Sequence, residues 1–427
     1  DAAEAAPTVR RLPERLHDVI RWRLGALDDR AGEVLAAASF LGEEFSLGVL
    51  AEVAGVAPHG VRDHLDEALR AGLVRDATPG HMAFPHAVVR RALQDELPPR
   101  RAVDLHRRIA EVLATRVGDE ASAAEVAHHH LCAADETTAA TAIRWARTAA
   151  DQARRETAFE NSVWFLARAV DVHDRFGDDD DLAAEMRLEL AEAHDRAGEF
   201  TARDRRHLEA AALASASGRT DLLVRSALGY GGRLPATPPP SATGRGLLDE
   251  VLARLPDSDG RARALATARL AHLRHLDAPH AERARLSGAA VDMARRLDAP
   301  VVLASALVSR CLALDGPDDV DEQLEIGAEV IRIGEQTGDP DLVLQGARTR
   351  TQPLLVVGAH EAAHDLAERF TRLAGEVRHP DHQRLVSMWQ IMWSALAGRF
   401  ADALGQSDVL RERLGRAGHS QAAGIHL

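Results

Sequence analysis

Breaks in the helical pattern recur about every forty residues through the last two-thirds of this chain, and no other feature limits the fold as strongly. The main breaks are acidic or contain glycine or proline, and they fall at Asp178–Asp181, Gly218–Asp221, Ser258–Gly260, Asp298–Pro300, Gly338–Asp341, His379–Asp381 and Gly418–Ser420. A second set lies half a period further along, at Gly198, Ala278-Pro279, Gly316-Pro317, Gly358 and Gly398. Each period therefore predicts two helices joined by a turn. Such a hairpin cannot bury its apolar face alone, so we expect the hairpins to stack into a TPR-like right-handed superhelix.

The composition favours helices throughout. The chain is 46% hydrophobic with only 4% aromatic residues, and Ala, Leu, Arg and Glu dominate it. No apolar run is long enough to span a membrane, and no secretory signal opens the chain. The two cysteines, Cys132 and Cys311, lack the spacing of a disulfide framework. We therefore expect an all-α protein in the reducing cytoplasm.

The charge pattern excludes two classes of function. A formal net charge of −14 gives the chain no electrostatic basis for wrapping nucleic acid non-specifically. All 52 basic residues are arginine, so the lysine of a phosphate-binding P-loop is missing. We find neither a nucleophile motif nor a convincing set of metal ligands, and we expect this chain not to be an enzyme.

Four segments can be separated along the sequence. Residues 1–9 resemble a disordered lead-in, and residues 10–117 combine three short helices, two extended runs around Thr78-Pro79-Gly80 and two further helices. That order predicts a winged-helix domain. Residues 118–177 form a helical connector, and 178–427 form the repeat domain. Because the period runs off the end at Gly418–Ser420, we expect a longer protein of which this chain is a piece.

A further set of motifs follows a fixed order from the start of the chain: Leu12-Pro13-Glu14-Arg15-Leu16, Leu35–Gly42 with Phe45, Leu65–Leu69 with Gly72-Leu73-Val74, Phe84-Pro85-His86, Arg90–Leu93 and Leu105–Ala110. Through these motifs most of residues 12–175 resembles the segment that follows the nucleotide-binding core in STAND-class signalling ATPases, in particular the large ATP-binding regulators of the LuxR type. In that family a superhelix of helix pairs senses the inducer, and a C-terminal helix-turn-helix binds DNA.

The resemblance implies a nucleotide-gated switch. The winged helix would be a lid on an upstream nucleotide-binding domain, and His86 would contact the β-phosphate of bound ADP. The family often has an aspartate after this histidine, whereas Ala87 follows here. The alternative is that His86 packs the wing against its helix. ATP and ADP would bind only to the full-length protein, which would self-associate on activation and touch DNA through a domain outside this chain.

Three candidate sites were weighed against simpler structural roles. His128-His129-His130 with Cys132 invites a metal site, but two ligands on one helix do not close a zinc site, and we predict none. Direct DNA binding through the helix at Pro58–Ala71 is a second alternative, although acidic residues there equal or outnumber arginines. For an inducer, the repeat alignment places Arg310, Arg350 and Gln390 in one column.

Two tryptophans complete the candidate inducer surface. Trp389 and Trp393 lie one helical turn apart in the last of these helices, and aromatic and arginine side chains suit a ligand surface. The simpler reading places the tryptophans in the core and the polar column in solvent. The sequence therefore predicts the sensor arm of a STAND regulator, responding to a small molecule or a protein. The alternative is a helical-repeat scaffold for protein partners without nucleotide-linked switching.

Overall fold

The computed structural model describes residues 23–25, 27–118, 121–232, 242–275, 277–314 and 316–416. The predicted lead-in (1–9), the helix expected from Arg10 through Leu16 and Ile20, the proline-rich loop at 234–240 and the last break at Gly418–Ser420 lie outside these residues. By contacts the chain divides into two units. The first holds the described residues up to Glu156 together with Asp171–Gly177, and the second holds Thr157–Val170 and the described residues from Asp178 onward. The predicted connector, 118–177, is thus shared between them.

The first unit contains the winged helix. Its helices are α1 (Asp29–Leu41), α2 (Leu47–Ala54), α3 (Pro58–Arg70), α4 (Ala87–Glu96), α5 (Pro99–Ala114), α6 (Ala123–Cys132) and α7 (Ala139–Arg155). Its strands are β1 (Glu44–Ser46), β2 (Arg75–Asp76) and β3 (His81–Ala83). The strands form one antiparallel sheet in the order β1-β3-β2, with Met82 opposite both Phe45 and Asp76. The sequence predicted the β2–β3 hairpin but not β1.

The residues at the helix ends explain this local order. Asp28 precedes α1, and its carboxylate accepts a hydrogen bond from the amide of Ala31 at 2.6 Å. Gly55 ends α2 in the left-handed conformation at φ 64°, where a side chain would be strained. Phe84, Leu35 and Leu65 are fully buried between the helices and the sheet. The wing is therefore fixed by one shared core.

The second unit is a series of helix pairs. After α8 (Phe159–Phe176), whose residues are shared between the units, come α9 (Asp180–Ala197), α10 (Phe200–Ala216), α11 (Thr220–Gly229), α12 (Ala242–Arg254), α13 (Arg261–Leu273), α14 (His280–Arg296), α15 (Pro300–Ala313), α16 (Val320–Thr337), α17 (Pro340–Val356), α18 (His360–Val377), α19 (Pro380–Leu396) and α20 (Phe400–Arg416). A short 3₁₀ turn, Pro317–Asp319, precedes α16. The odd-numbered helices from α9 to α19 begin at the predicted register, so the TPR-like repeat and the all-α fold class are confirmed.

Small residues hold the first helices of three repeats against their neighbours. Ala266 and Ala306 are fully buried, as the alignment of the periods predicted. The third member of that column is Gly346, where an added Cβ would lie 2.6 Å from the backbone nitrogen of Ile331. On the facing helix α16, an added Cβ at Gly327 would lie 2.6 Å from Cβ of Arg350. Helices α16 and α17 approach so closely that neither glycine has room for a side chain.

Helix α17 does not end at its internal proline. Pro353 is buried, and the helix continues to Val356. Because proline has no N–H, the carbonyl of Thr349, four residues earlier, loses its helical donor. The thiol of Cys311 on α15 donates to that carbonyl at 3.9 Å. The buried cysteine therefore serves the backbone of the next repeat, and burial raises the pKa of its thiol to about 12.

Candidate functional site

A groove with a volume of about 630 Å³ lies between the last three described helices of the second unit. Helix α19 contributes Trp389, Gln390 and Trp393, which are the sequence-predicted ligand residues of that helix. The remaining lining residues come from α18, α19, α20 and the α19–α20 turn: His364, Ala367, Glu368, Thr371, Arg372, Val386, Ser394, Arg399 and Gln406. An aromatic floor with polar groups at its edges is the usual composition of a ligand site.

Both tryptophans are held in place by aromatic contacts. The Trp389 ring packs on Phe370 with 4.7 Å between centroids, and Phe370 belongs to the core of this repeat. The Trp393 ring meets His364 edge-on at 5.0 Å. Its indole Nε1–H is shielded from solvent and has no acceptor among the described residues. A shielded donor without an acceptor costs about 1–3 kcal/mol, which an acceptor on a ligand would offset.

The two arginines of the predicted column lie outside this groove. Arg310 donates through Nε to Glu322 at 2.5 Å and through a terminal nitrogen to the carbonyl of Ala284 at 2.8 Å. Arg350 packs its Cβ against Gly327, and its Nε is shielded with no partner in the described part of the chain. Arg310, Arg350 and Gln390 do occupy equivalent positions in three successive repeats. Its arginines, however, face the seams between helices, and only Gln390 reaches the groove.

A charged cluster joins two distant helices of the same unit. Arg203 on α10 donates to Asp195 at 2.7 Å and to Asp204 at 2.8 Å. His379 caps α19, because its Nδ1 accepts from the amide of Asp381 at 3.3 Å; this leaves Nε2 to donate to Asp195 at 3.2 Å. Burial alone raises the pKa of Asp195, but the hydrogen bond and charge of His379 and the charge of Arg203 bring it to about 2.

A second buried arginine lies next to this cluster. Arg269 on α13 donates to the carbonyl of Gly232 at 2.7 Å. Burial lowers the pKa of its guanidinium to about 10, and the positive charge of Arg203 adds to the effect. Gly232 is also pressed against Arg203, since an added Cβ there would lie 2.6 Å from a guanidinium nitrogen. The turn after α11 is therefore fixed by two arginines, a role the sequence did not reveal.

His86 stands exposed at the N-terminal end of α4 in the first unit. Its side chain caps no backbone amide of that helix, while its carbonyl accepts from Val89 at 3.0 Å. The neighbouring Phe84 is fully buried and supplies the packing of the wing. The imidazole is thus free to meet another molecule, and positive potential at the helix start would favour an anion beside it.

Several arginines near the winged helix pair with carboxylates. On α3, Arg62 pairs with Asp76 at 2.8 Å, which offsets the charge that a DNA phosphate would need. In the later basic stretch the pairs are Arg91 with Asp95, Arg101 with Glu33, and Arg107 with Asp104 and Asp135. These pairs reduce the positive charge that this part of the surface could offer to DNA phosphates.

A histidine and cysteine cluster joins α5 to α6. His128 and Cys132 face the same way, with 3.8 Å between Nε2 and Sγ. His106 comes from α5, and one ligand atom from each of the three lies within 4.8 Å of the others. His106 Nδ1 is also 2.8 Å from Nδ1 of His129. In the sequence the recognisable ligands lie on one helix, and no pattern places His106, 22 residues earlier, beside His128.

Burial controls the protonation of these imidazoles. It lowers the pKa of His106 to about 4, helped by the charge of His128, and the pKa of His129 to about 3. It lowers the pKa of His128 as well. These three rings are therefore neutral near pH 7.

Within the described ranges, no helix combines the length and the hydropathy needed to cross a membrane.

Comparison with known proteins finds 26 matching chains among solved structures, three of which are described below. No family model matches the sequence, and neither does any curated protein. A Signal Transduction ATPase with Numerous Domains (STAND) protein with a tetratricopeptide repeat sensor, from Pyrococcus horikoshii, is 10% identical at a TM-score of 0.33, covering 96% of this chain and 67% of its own. A Rap protein complexed with Competence and Sporulation Factor is 10% identical at a TM-score of 0.35, and the match covers 96% of this chain and 95% of that protein. Aspartyl phosphate phosphatase F from Bacillus subtilis is 10% identical at a TM-score of 0.33, and the match covers 93% of this chain and 92% of that protein. Because these TM-scores lie below 0.5, the matches carry no argument about function.

Proposed function

We propose that this chain is the sensor arm of a STAND-class ATPase transcriptional regulator, in which an inducer bound to the repeat unit releases a nucleotide-gated switch. The groove between α18, α19 and α20 carries the proposal. It offers two supported tryptophan rings, polar groups at its rim and one indole donor without an acceptor among the described residues.

The exposed imidazole of His86 supports the second half of the proposal. As a lid residue, it would contact the phosphates of ADP held by the upstream nucleotide-binding domain of the full-length protein. Inducer binding would shift the equilibrium only if the inducer binds the open state more tightly than the closed state. ATP would then replace ADP and permit self-association, and the DNA contact would belong to another domain of the full-length protein.

The switch is tested on the full-length protein by the release of a fluorescent ADP analogue. We expect His86→Ala to speed release by at least about tenfold, which corresponds to about 1.4 kcal/mol of lost interaction. His59→Ala is the matched control, because His59 is also exposed near the start of a helix in the same unit. Equal release rates in all three proteins, or a full-length reading frame without a P-loop, would overturn the switch.

The groove is tested by reporter expression from a promoter that the full-length regulator activates. We expect Trp389→Ala and Trp393→Ala to abolish the induced expression and to leave the basal level unchanged. Trp393→Phe keeps an aromatic ring, although a smaller one, and removes the indole N–H, so we expect a partial loss if a ligand acceptor meets that donor. Trp164→Ala is the control, since Trp164 is a half-exposed tryptophan of the same unit away from the groove. Full induction in a folded variant that carries both Trp389→Ala and Trp393→Ala would refute the site.

A scaffold for protein partners is the second candidate. Leu396, Phe400 and Leu404 are more than half exposed near the groove, an apolar grouping that suits a protein contact. Under this reading the tryptophan variants lose a partner, whereas nucleotide release in the full-length protein is unaffected by its presence. The ADP-release assay repeated with and without the partner separates the two functions.

A further inference from the structure

The cluster of His106, His128 and Cys132 lies outside the groove and outside the nucleotide switch. We propose that these three side chains bind one zinc ion, through two imidazole nitrogens and one thiolate. Binding would replace the thiol proton of Cys132, which passes to solvent. The proposal concerns the first unit alone and does not depend on the function proposed for the groove.

The positions of the ligands fit a tetrahedral ion. With metal–nitrogen bonds of about 2.0–2.1 Å and a metal–sulfur bond of about 2.3 Å, neighbouring ligand atoms in a tetrahedral zinc site lie about 3.4–3.6 Å apart. Nε2 of His128 and Sγ of Cys132 are already 3.8 Å apart. The full set spans 4.8 Å, so closure around an ion needs a contraction of about 1 Å, which rotation of exposed side chains can supply.

Two elements hold the ligands in register. The spacing of four residues puts His128 and Cys132 on one face of α6. A capping box between Ser122 and Glu125 fixes the start of that helix, with the Ser122 amide donating to Glu125 at 2.8 Å. Helix α5 packs against α6 and brings His106 to the same face.

The ring of His106 has the kind of outer partner that metal-binding histidines use. Its hydrogen bond with His129 at 2.8 Å and its edge contact with Phe40 at 5.0 Å restrict the orientation of the ring. His130 points elsewhere and stacks on Trp145 at 6.4 Å. In the run of three histidines, His128 is therefore a ligand, His129 supports the ring of His106, and His130 takes no part in the site.

Access and ligand type favour zinc. His128 and Cys132 are exposed and His106 is partly buried, so an ion can enter and keep a fourth position open to water. Two imidazoles with one thiolate form a ligand set that suits zinc and cobalt, whereas magnesium and calcium require oxygen ligands. Cys132 is also the only exposed cysteine of the chain, because Cys311 is buried.

Cobalt titration of the metal-free chain tests the site, with zinc as the competitor. We expect one cobalt ion per chain, with the visible bands of a tetrahedral ion and the near-ultraviolet band of a thiolate ligand, both removed by one equivalent of zinc. Cys132→Ser should abolish the thiolate band. His106→Ala and His128→Ala should each weaken zinc binding by at least about tenfold, since even the loss of a ligand's outer partner has that effect.

His130→Ala is the matched control, because it removes a histidine of the same run whose ring stacks on Trp145. Its zinc affinity should equal that of the unmodified chain. The proposal is overturned if no stoichiometric metal binds, if Cys132→Ser retains the thiolate band, or if His130→Ala weakens binding as much as His106→Ala. Cys132→Ser changes one exposed atom, so a folding defect cannot imitate the loss of that band.

Discussion

Nε2 of His379 lies 3.2 Å from Oδ2 of Asp195, and this hydrogen bond joins two residues 184 positions apart in the chain. It brings the start of α19 to the end of α9, where Pro380 also approaches Gly198; a Cβ on that glycine would lie 3.3 Å from Cβ of Pro380. In a simple stack of repeats each pair contacts only its neighbours. The second unit therefore has a long-range contact in addition to its neighbour interfaces.

Removing the carboxylate of this contact should be the most damaging change in the cluster. We expect Asp195→Ala to lower the free energy of unfolding by about 3 kcal/mol, the lower end for a broken buried ion pair, because Arg203 keeps Asp204. His379→Ala should cost about 2 kcal/mol, the value of a hydrogen bond to a charged group. Urea denaturation followed by circular dichroism measures both.

The control for these variants is an exposed ion pair of the same unit. Arg369 and Glu335 lie 2.6 Å apart with about half of each side chain in solvent, so Glu335→Ala should cost less than about 1 kcal/mol. Equal losses from Asp195→Ala and Glu335→Ala would show that the long-range contact is not formed in solution.

Two glycines of the repeats should respond in opposite ways to alanine. Gly346→Ala forces a methyl group into the backbone of α16 and should cost about 1–3 kcal/mol. Gly375 lies within α18 with nothing within 4 Å of an added Cβ, so Gly375→Ala should gain about 1 kcal/mol from helix propensity. Denaturant midpoints compare the two, and a stabilising Gly346→Ala would contradict the close approach of α16 and α17.

The thiol of Cys311 and the ring of Pro353 should be energetically coupled. Cys311→Ala leaves the carbonyl of Thr349 without a donor and should cost about 1–2 kcal/mol. In the Pro353→Ala background the helix regains its own amide for that carbonyl, so the same change should cost about 1 kcal/mol less. A double-mutant cycle measures the coupling, and strictly additive effects would mean that the thiol does not serve this carbonyl.

Acid should destabilise the second unit through His207. Burial lowers the pKa of this imidazole to about 4, with the charges of Arg203 and Arg225 adding to the effect and those of Asp204 and Asp195 opposing it. The folded pKa lies below the unfolded value of about 6.5, so the unfolded chain binds more protons between these values. The contribution of His207 to the free energy of unfolding is thus fully present above about pH 6.5 and is lost as the pH falls toward 4, by up to about 2 kcal/mol at pH 5.

A variant isolates that contribution. His207→Leu keeps a side chain of similar size but cannot titrate, so urea midpoints measured between about pH 7.5 and 5 should vary less than in the unmodified protein. An unchanged pH dependence would remove His207 as its source.

Local patterns predicted the helices well, because caps and breakers act over one or two turns. Gly198, Gly338 and Gly358 end or separate helices at the predicted breaks. Strand β1 was missed, since three residues between two helices carry no periodicity of their own. Composition and spacing alone paired Trp389 with Trp393, and both line the groove.

What the sequence could not supply was the identity of distant neighbours. His379 was visible as part of a break, but nothing in the pattern could pair it with Asp195. His106 likewise needed the packing of α5 on α6 before it could join His128 and Cys132. The alignment placed Arg310 in an equivalent position to Gln390, but it could not show that Arg310 is already bonded to Glu322. Equivalence in a repeat fixes position along a helix, whereas exposure depends on neighbours that differ from repeat to repeat.

The contact between α9 and α19 also bears on how the second unit comes apart. An open array of repeats frays from its ends, since a terminal pair gives up a single interface when it detaches. Here α19 can detach only if it loses its interfaces with neighbouring helices and its hydrogen bond to α9 at the same time. Helix α19 also carries both groove tryptophans, so a ligand held there would resist the loss of the same helix that keeps the two ends of the array together.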